Sequence, residues 1–102
     1  VKKTEQQIAT LGVEARLVLD SPAFDEAFER MDATIMNALR KADMRDAEGQ
    51  RLLLQQLKLV DRIKVTLRGM IEHGKLAQAK IDADDIRDES RLRRGLRQVT
   101  GR

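Results

Sequence analysis

The stretch of this 102-residue chain best equipped to engage another molecule is Arg91-Leu92-Arg93-Arg94-Gly95-Leu96-Arg97. Guanidinium groups bind phosphates and carboxylates through paired hydrogen bonds, and the interleaved leucines supply an apolar side. Residues 90–102 hold five arginines and no acid, so the chain's +3 less the tail's +5 leaves −2 on residues 1–89. Only the tail therefore has the electrostatic character that attracts a polyanion or an acidic protein. Arg91, Arg93, Arg94 and Arg97 are the expected partner-binding residues, and three uses of the tail remain open on the residues alone: docking on an acidic or mixed protein surface, contact with nucleic acid, or simple solubility. A membrane-surface role is disfavoured, because no bulky aromatic is present there as an anchor.

The remaining reactive residue types build little. His73 is the only imidazole, which excludes a histidine-based triad or an HExxH zinc motif within one subunit, and its place near a helix end suits the dipole. Asp82, Asp84, Asp85, Asp88 and Glu89 are acidic enough for a hard cation, but they match no calcium loop and alternate with Arg87 and Arg91 as a solvated helix face does. Asp25, Glu26, Glu29 and Asp32, with Arg30 among them, read the same way, and no apolar pocket is in sight to raise the pKa of one of them for acid–base work. Gly69 and Gly74 belong to no phosphate-binding loop, and Ser21 and Ser90 have no base beside them. With no cysteine in the chain, thiol catalysis, thiolate metal sites and disulfides are also excluded. The expectation is a protein that is not an enzyme and takes no cofactor or metal.

The elements that carry these residues are helical. At 102 residues there is room for one small domain or an extended subunit, and a 41% hydrophobic, 36% charged composition with one proline fits neither a collagen-like nor a membrane-spanning chain. Ile8, Leu11, Ala15 and Val18 recur at helical spacing within residues 4–19, although Gly12 weakens that segment. Ser21 is placed to cap a second helix, with Pro22 at its first position and Asp25 and Glu26 complementing its positive end. Phe24, Phe28, Met31, Ile35, Ala38 and Ala42 then alternate by four and three, the seam of a coiled-coil-like contact. Asp46 reads as the N-cap of a third helix spanning residues 47–73, about 40 Å long, after a turn too short to be a linker. Its main stripe is Leu53, Leu57, Val60, Ile63, Leu67 and Met70, and Gly74 is expected to end it as a left-handed cap. Leu76, Ala79, Ala83 and Ile86 suggest a further weakly packed helix, and Gly95 and Gly101 interrupt the basic tail.

The expected fold class is all-α: a long antiparallel hairpin over residues 22–73 with a short N-terminal helix, a body spanning residues 1–89 and a basic helical tail over 90–102. Leu52, Leu54, Leu59, Val65 and Ile71 lie off the main stripe, so the buried arc exceeds what one partner helix covers. Exposing them as a patch is unusual for a monomer, which makes a homo-oligomeric bundle or ring with Leu52, Leu54 and Leu59 at the subunit contacts the simplest outcome. The alternative is a four-helix monomer in which residues 76–86 fold back over the hairpin.

The succession Ser21-Pro22-Ala23-Phe24-Asp25-Glu26-Ala27-Phe28, then Arg45-Asp46-Ala47-Glu48-Gly49, then Glu72-His73-Gly74-Lys75-Leu76-Ala77 resembles small helical proteins encoded by tailed bacteriophages and prophages, over roughly residues 17–80. The resemblance implies a product of the virion assembly set, and it transfers no catalytic or binding residue. The basic tail is also reminiscent of scaffolding proteins, whose C-terminal helices contact the coat protein. The expectation is thus a non-enzymatic structural or assembly protein of a phage virion, with itself and other virion proteins as partners and no membrane contact. Two alternatives are a small-terminase-like packaging factor contacting DNA through the tail, and a phage-encoded inhibitor of a host factor or a small signalling nucleotide. The N-terminal residues lack the apolar core of a signal peptide, so the expected location is the host cytoplasm, the virion or both.

Overall fold

Helix starts and stops in this chain are written in short-range hydrogen bonds. A computed structural model describes the backbone of residues 2–100 and the side chains of residues 2–96. Helix α1, Glu5–Leu19, opens on a capping box: the Gln7 amide donates to Thr4 Oγ1 and the Thr4 amide to Gln7 Oε1. Helix α2, Pro22–Lys41, starts two residues after α1 ends, with Pro22 where a missing amide hydrogen costs nothing. Ser21 makes no side-chain cap, contrary to expectation; its backbone carbonyl accepts from the Asp25 amide instead. Helix α3, Ala47–Thr100, is capped by Asp46, whose Oδ1 accepts from the Gly49 amide at 2.9 Å. The turn before it is held by the Arg45 amide donating to Asp43 Oδ1 and by Gln50 Nε2 donating to the Asp43 carbonyl. The described residues form helices and their connecting turns, and the protein is all-α.

The largest departure from the sequence reading is that α3 does not stop at His73. It runs unbroken for 54 residues through Gly74 and Gly95, and no described glycine has a positive φ. Residues 76–86 are accordingly the continuation of α3, and they do not fold back as a fourth helix. A glycine costs a helix about 1 kcal/mol, which the hydrogen bonds and packing on either side outweigh.

The molecule is a hairpin whose first arm is α1 and α2 laid nearly end to end and whose second arm is α3. Phe28, Ile35 and Val60 form the core between α2 and α3, with Phe24, Leu39, Leu53 and Leu57 packed around it. Phe28, 2% exposed, stacks obliquely on Phe24 at 4.4 Å between ring centroids, and Lys64 Nζ sits 4.8 Å from its ring centroid as a cation–π contact. Farther along α3, α1 covers Ile71, Gly74 and Ala77, and Lys80 reaches Glu5 across the top of this contact. The α1–α3 contact is built from small residues: Ala9, Gly12 and Ala15 face Gly74 and Ala77. A Cβ on Gly74 would stand 2.8 Å from the Gly12 Cα, and one on Gly12 would stand 2.9 Å from the Gly74 Cα. Gly12 thus serves the packing of α1, and Gly74 serves as its counterpart.

Two assignments on α3 change with this geometry. Ile63, expected in the core stripe, is half-exposed, whereas Ile71, expected off the stripe, is buried under α1. The molecule measures 87 × 26 × 18 Å, and its long dimension is set by α3.

Candidate functional site

From Asp82 to Leu96 every residue of α3 is exposed, so this stretch is a helical arm projecting beyond the α1 contact. Its register sorts the side chains. At about 100° per residue, Arg87, Arg91 and Arg94 fall on one ridge, while Leu92 and Leu96 fall on the opposite side. Leu92 is 69% exposed and Leu96 is 65% exposed. Arg93 lies away from the ridge, where its Nη2 donates to Glu89 Oε1 at 2.7 Å. The sequence reading grouped Arg91, Arg93, Arg94 and Arg97 as one contact set. The structure brings Arg91 and Arg94 together, engages Arg93 with Glu89, and adds Arg87, which the sequence reading placed among the salt-bridged acids. Arg87 has only a long 4.0 Å approach to Asp84, and its signal in the sequence was its four-residue spacing from Arg91. Arg97 lies outside the residues whose side chains are described.

The acidic residues of the arm belong to this same surface. Asp82 accepts from Gln78, Asp84 faces Arg87 and Glu89 faces Arg93, each an exposed pair along one helix. Such pairs contribute a few tenths of a kcal/mol each and hold the helix rather than a ligand. No group of three or more His, Cys, Asp or Glu side chains able to hold a metal ion occurs among the described residues. On α2, Glu26 pairs with Arg30 at 2.9 Å, whereas Asp32 is half-buried with its Oδ1 shielded and without a hydrogen-bond partner. His73 is exposed on α3 beside Leu76 and Ala77, in mid-helix and not at a helix end.

The second surface is the side of the hairpin itself. Leu52, Leu54 and Leu59 are all half-exposed, but they do not share a face: Leu52 and Leu59, seven apart, lie along one line of α3, and Leu54 lies about 160° from Leu52. The single patch expected from the sequence is therefore divided. Leu59 joins Met31, Ile35 and Val60 in a shallow groove between α2 and α3, and Ile63 continues it by one turn. Ile63 is the residue the sequence reading assigned to the core and the geometry places on this open flank.

No helix among the described residues is long and apolar enough to cross a membrane. Compared with protein-family models, with curated proteins and with solved structures, the chain matches none.

Proposed function

We propose that the chain is a non-enzymatic assembly protein whose helical hairpin self-associates and whose exposed, arginine-bearing arm docks onto another protein, as a virion component of a tailed bacteriophage would. The observation that carries this reading is the arm. Residues 82–96 are exposed on all sides, and a helix of that length is marginal in water without packing. A partner that covers the arm would supply the missing burial. The arm's two sides favour a protein partner: the ridge of Arg87, Arg91 and Arg94 suits carboxylates, while Leu92 and Leu96 suit an apolar groove. Duplex DNA would engage the arginines and leave the leucines in solvent. The bacteriophage setting rests on the resemblance of the turns and caps, and the self-association rests on the open flank around Leu59 and Ile63.

Native mass spectrometry of the full chain, combined with fluorescence anisotropy on a labelled 20-base-pair duplex, tests this. The expected result is a ligand-free homo-oligomer with no useful DNA affinity at moderate salt. DNA binding that falls steeply between low and moderate salt would replace this reading with the packaging-factor one. A retained small molecule would replace it with the inhibitor one, and a monomer at about 100 µM would remove the self-association.

A further inference from the structure

We propose that the flank of the hairpin centred on Leu59 and Ile63 packs against the same flank of a second copy in an antiparallel two-fold pair. This pairing rests on the reading of the chain as self-associating and specifies its face and direction.

The two flanks of the hairpin differ sharply in charge. On the Leu59 side, α3 presents Leu52, Gln56, Leu59, Ile63, Thr66 and Met70, spaced alternately by four and three, the repeat of a second coiled-coil seam. On the same side, α2 presents Ala23, Ala27, Met31, Thr34 and Ala38, with Arg30 lining the outer edge of the groove. Arg30, paired with Glu26, is the one charge among these residues, where a composition that is 36% charged would place about four. The opposite flank carries Asp25, Glu29 and Arg40 on α2 and Asp61 and Arg68 on α3, while Lys58 and Arg62 stand on the outward back of α3 between the two flanks. Leu54 and Val65 stand singly among those charges, as surface apolar residues commonly do.

A second copy fits this flank in shape, size and charge. Apposing two hairpins on this flank makes a four-helix bundle with the seam in its centre. The uncharged stretch is about 27 Å long on α3 and about 20 Å wide across two packed helices, so the pair would bury on the order of 1,000 Å², where specific interfaces begin. Small residues on α2 opposite larger ones on α3 give each copy both ridges and hollows, which an isologous contact needs. Direction follows from the tails. Residues 90–102 carry +5, so a parallel pair would set two like-charged arms side by side, and an antiparallel pair sends them to opposite ends.

The chain has no cysteine, so single-cysteine variants of the full-length protein report this geometry directly. Ile63→Cys, close to the two-fold axis, should oxidise to a covalent dimer in high yield with native helicity. Labels on Ser90→Cys should lie about 85 Å apart across the pair. Leu59→Asp should raise the dimer Kd at least tenfold, and Leu54→Asp should leave it within twofold. A wild-type monomer at 100 µM would overturn the pairing and the self-association together. An oligomer that survives Leu59→Asp and breaks with Leu54→Asp would leave self-association standing and overturn the choice of face. Labels at residue 90 within about 30 Å would overturn the direction. If Leu59→Asp unfolds the chain, the Ile63→Cys cross-link in an otherwise native protein still decides the face, and its absence in a wild-type dimer overturns it.

Discussion

Replacing Gly74 with alanine should destabilise this protein, and replacing Gly69 with alanine, five residues earlier in the same helix, should stabilise it. The helix term is common to both: alanine gains about 1 kcal/mol over glycine in a helix interior. At Gly69 a new Cβ meets nothing within 4 Å, so that gain is kept. At Gly74 the Cβ would stand 2.8 Å from the Gly12 Cα and 3.3 Å from the Ile8 carbonyl oxygen. Both are backbone atoms, so no rotamer change relieves the overlap and α1 has to lift from α3. Overpacking of this kind costs about 1–3 kcal/mol, and lifting α1 also loosens the burial of Ala9, Ala15, Ile71 and Ala77. The two variants should therefore differ by roughly 2–3 kcal/mol in opposite directions about the wild type, or roughly 8–20 °C in midpoint for a domain of this size. Thermal and urea melts followed by circular dichroism at one protein concentration measure the difference, and hydrogen exchange at the α1 amides shows whether α1 opens first. Equal stabilisation by both substitutions would refute the close crossing of α1 on α3.

Other perturbations test the rest of the body. Phe28→Ala should cost about 3–4 kcal/mol, because it empties the centre of the α2–α3 core, and a urea midpoint shifted by less than a third of that would show the core lies elsewhere. Asp46→Ala should cost about 1 kcal/mol by leaving the Gly49 amide without its acceptor, while Asp46→Asn should cost less than half as much. Deleting residues 90–102 should leave the thermal midpoint within about 2 °C, since the arm adds no burial to the body, and a larger fall would mean the arm packs on it.

Much of this fold is legible in the residues because its signals are local. The recurrence of Phe24, Phe28 and Ile35 at intervals of four and seven marks the buried side of α2, and the short Asp43 to Asp46 turn with its capping aspartate marks the hairpin. What local signals mislead about is glycine. Gly12 weakens a helix and Gly74 ends one when each is taken alone, and only the other arm of the hairpin reveals that they face each other. The same limit applies to Ile71, whose cover is a helix more than fifty residues earlier in the chain. On the candidate surfaces, residue type singled out Arg91, Arg94 and Leu59, but the sidedness of Leu54 and Ile63 comes from their angle around α3 and that of Arg93 from its pairing with Glu89, neither of which residue type supplies.

That unbroken phase makes α3 a drive shaft as well as a scaffold. Because no loop intervenes between Leu59 and Arg94, the bearing of the arginine ridge around the helix axis is locked to the bearing of the Leu59 flank. Inserting one residue between Asp82 and Asp84 would rotate the ridge by about 100° and advance it by about 1.5 Å while leaving the hairpin as it is, and inserting seven would bring it nearly back into line. Angular setting, more than reach, is what a partner seated on the arm would inherit from the body.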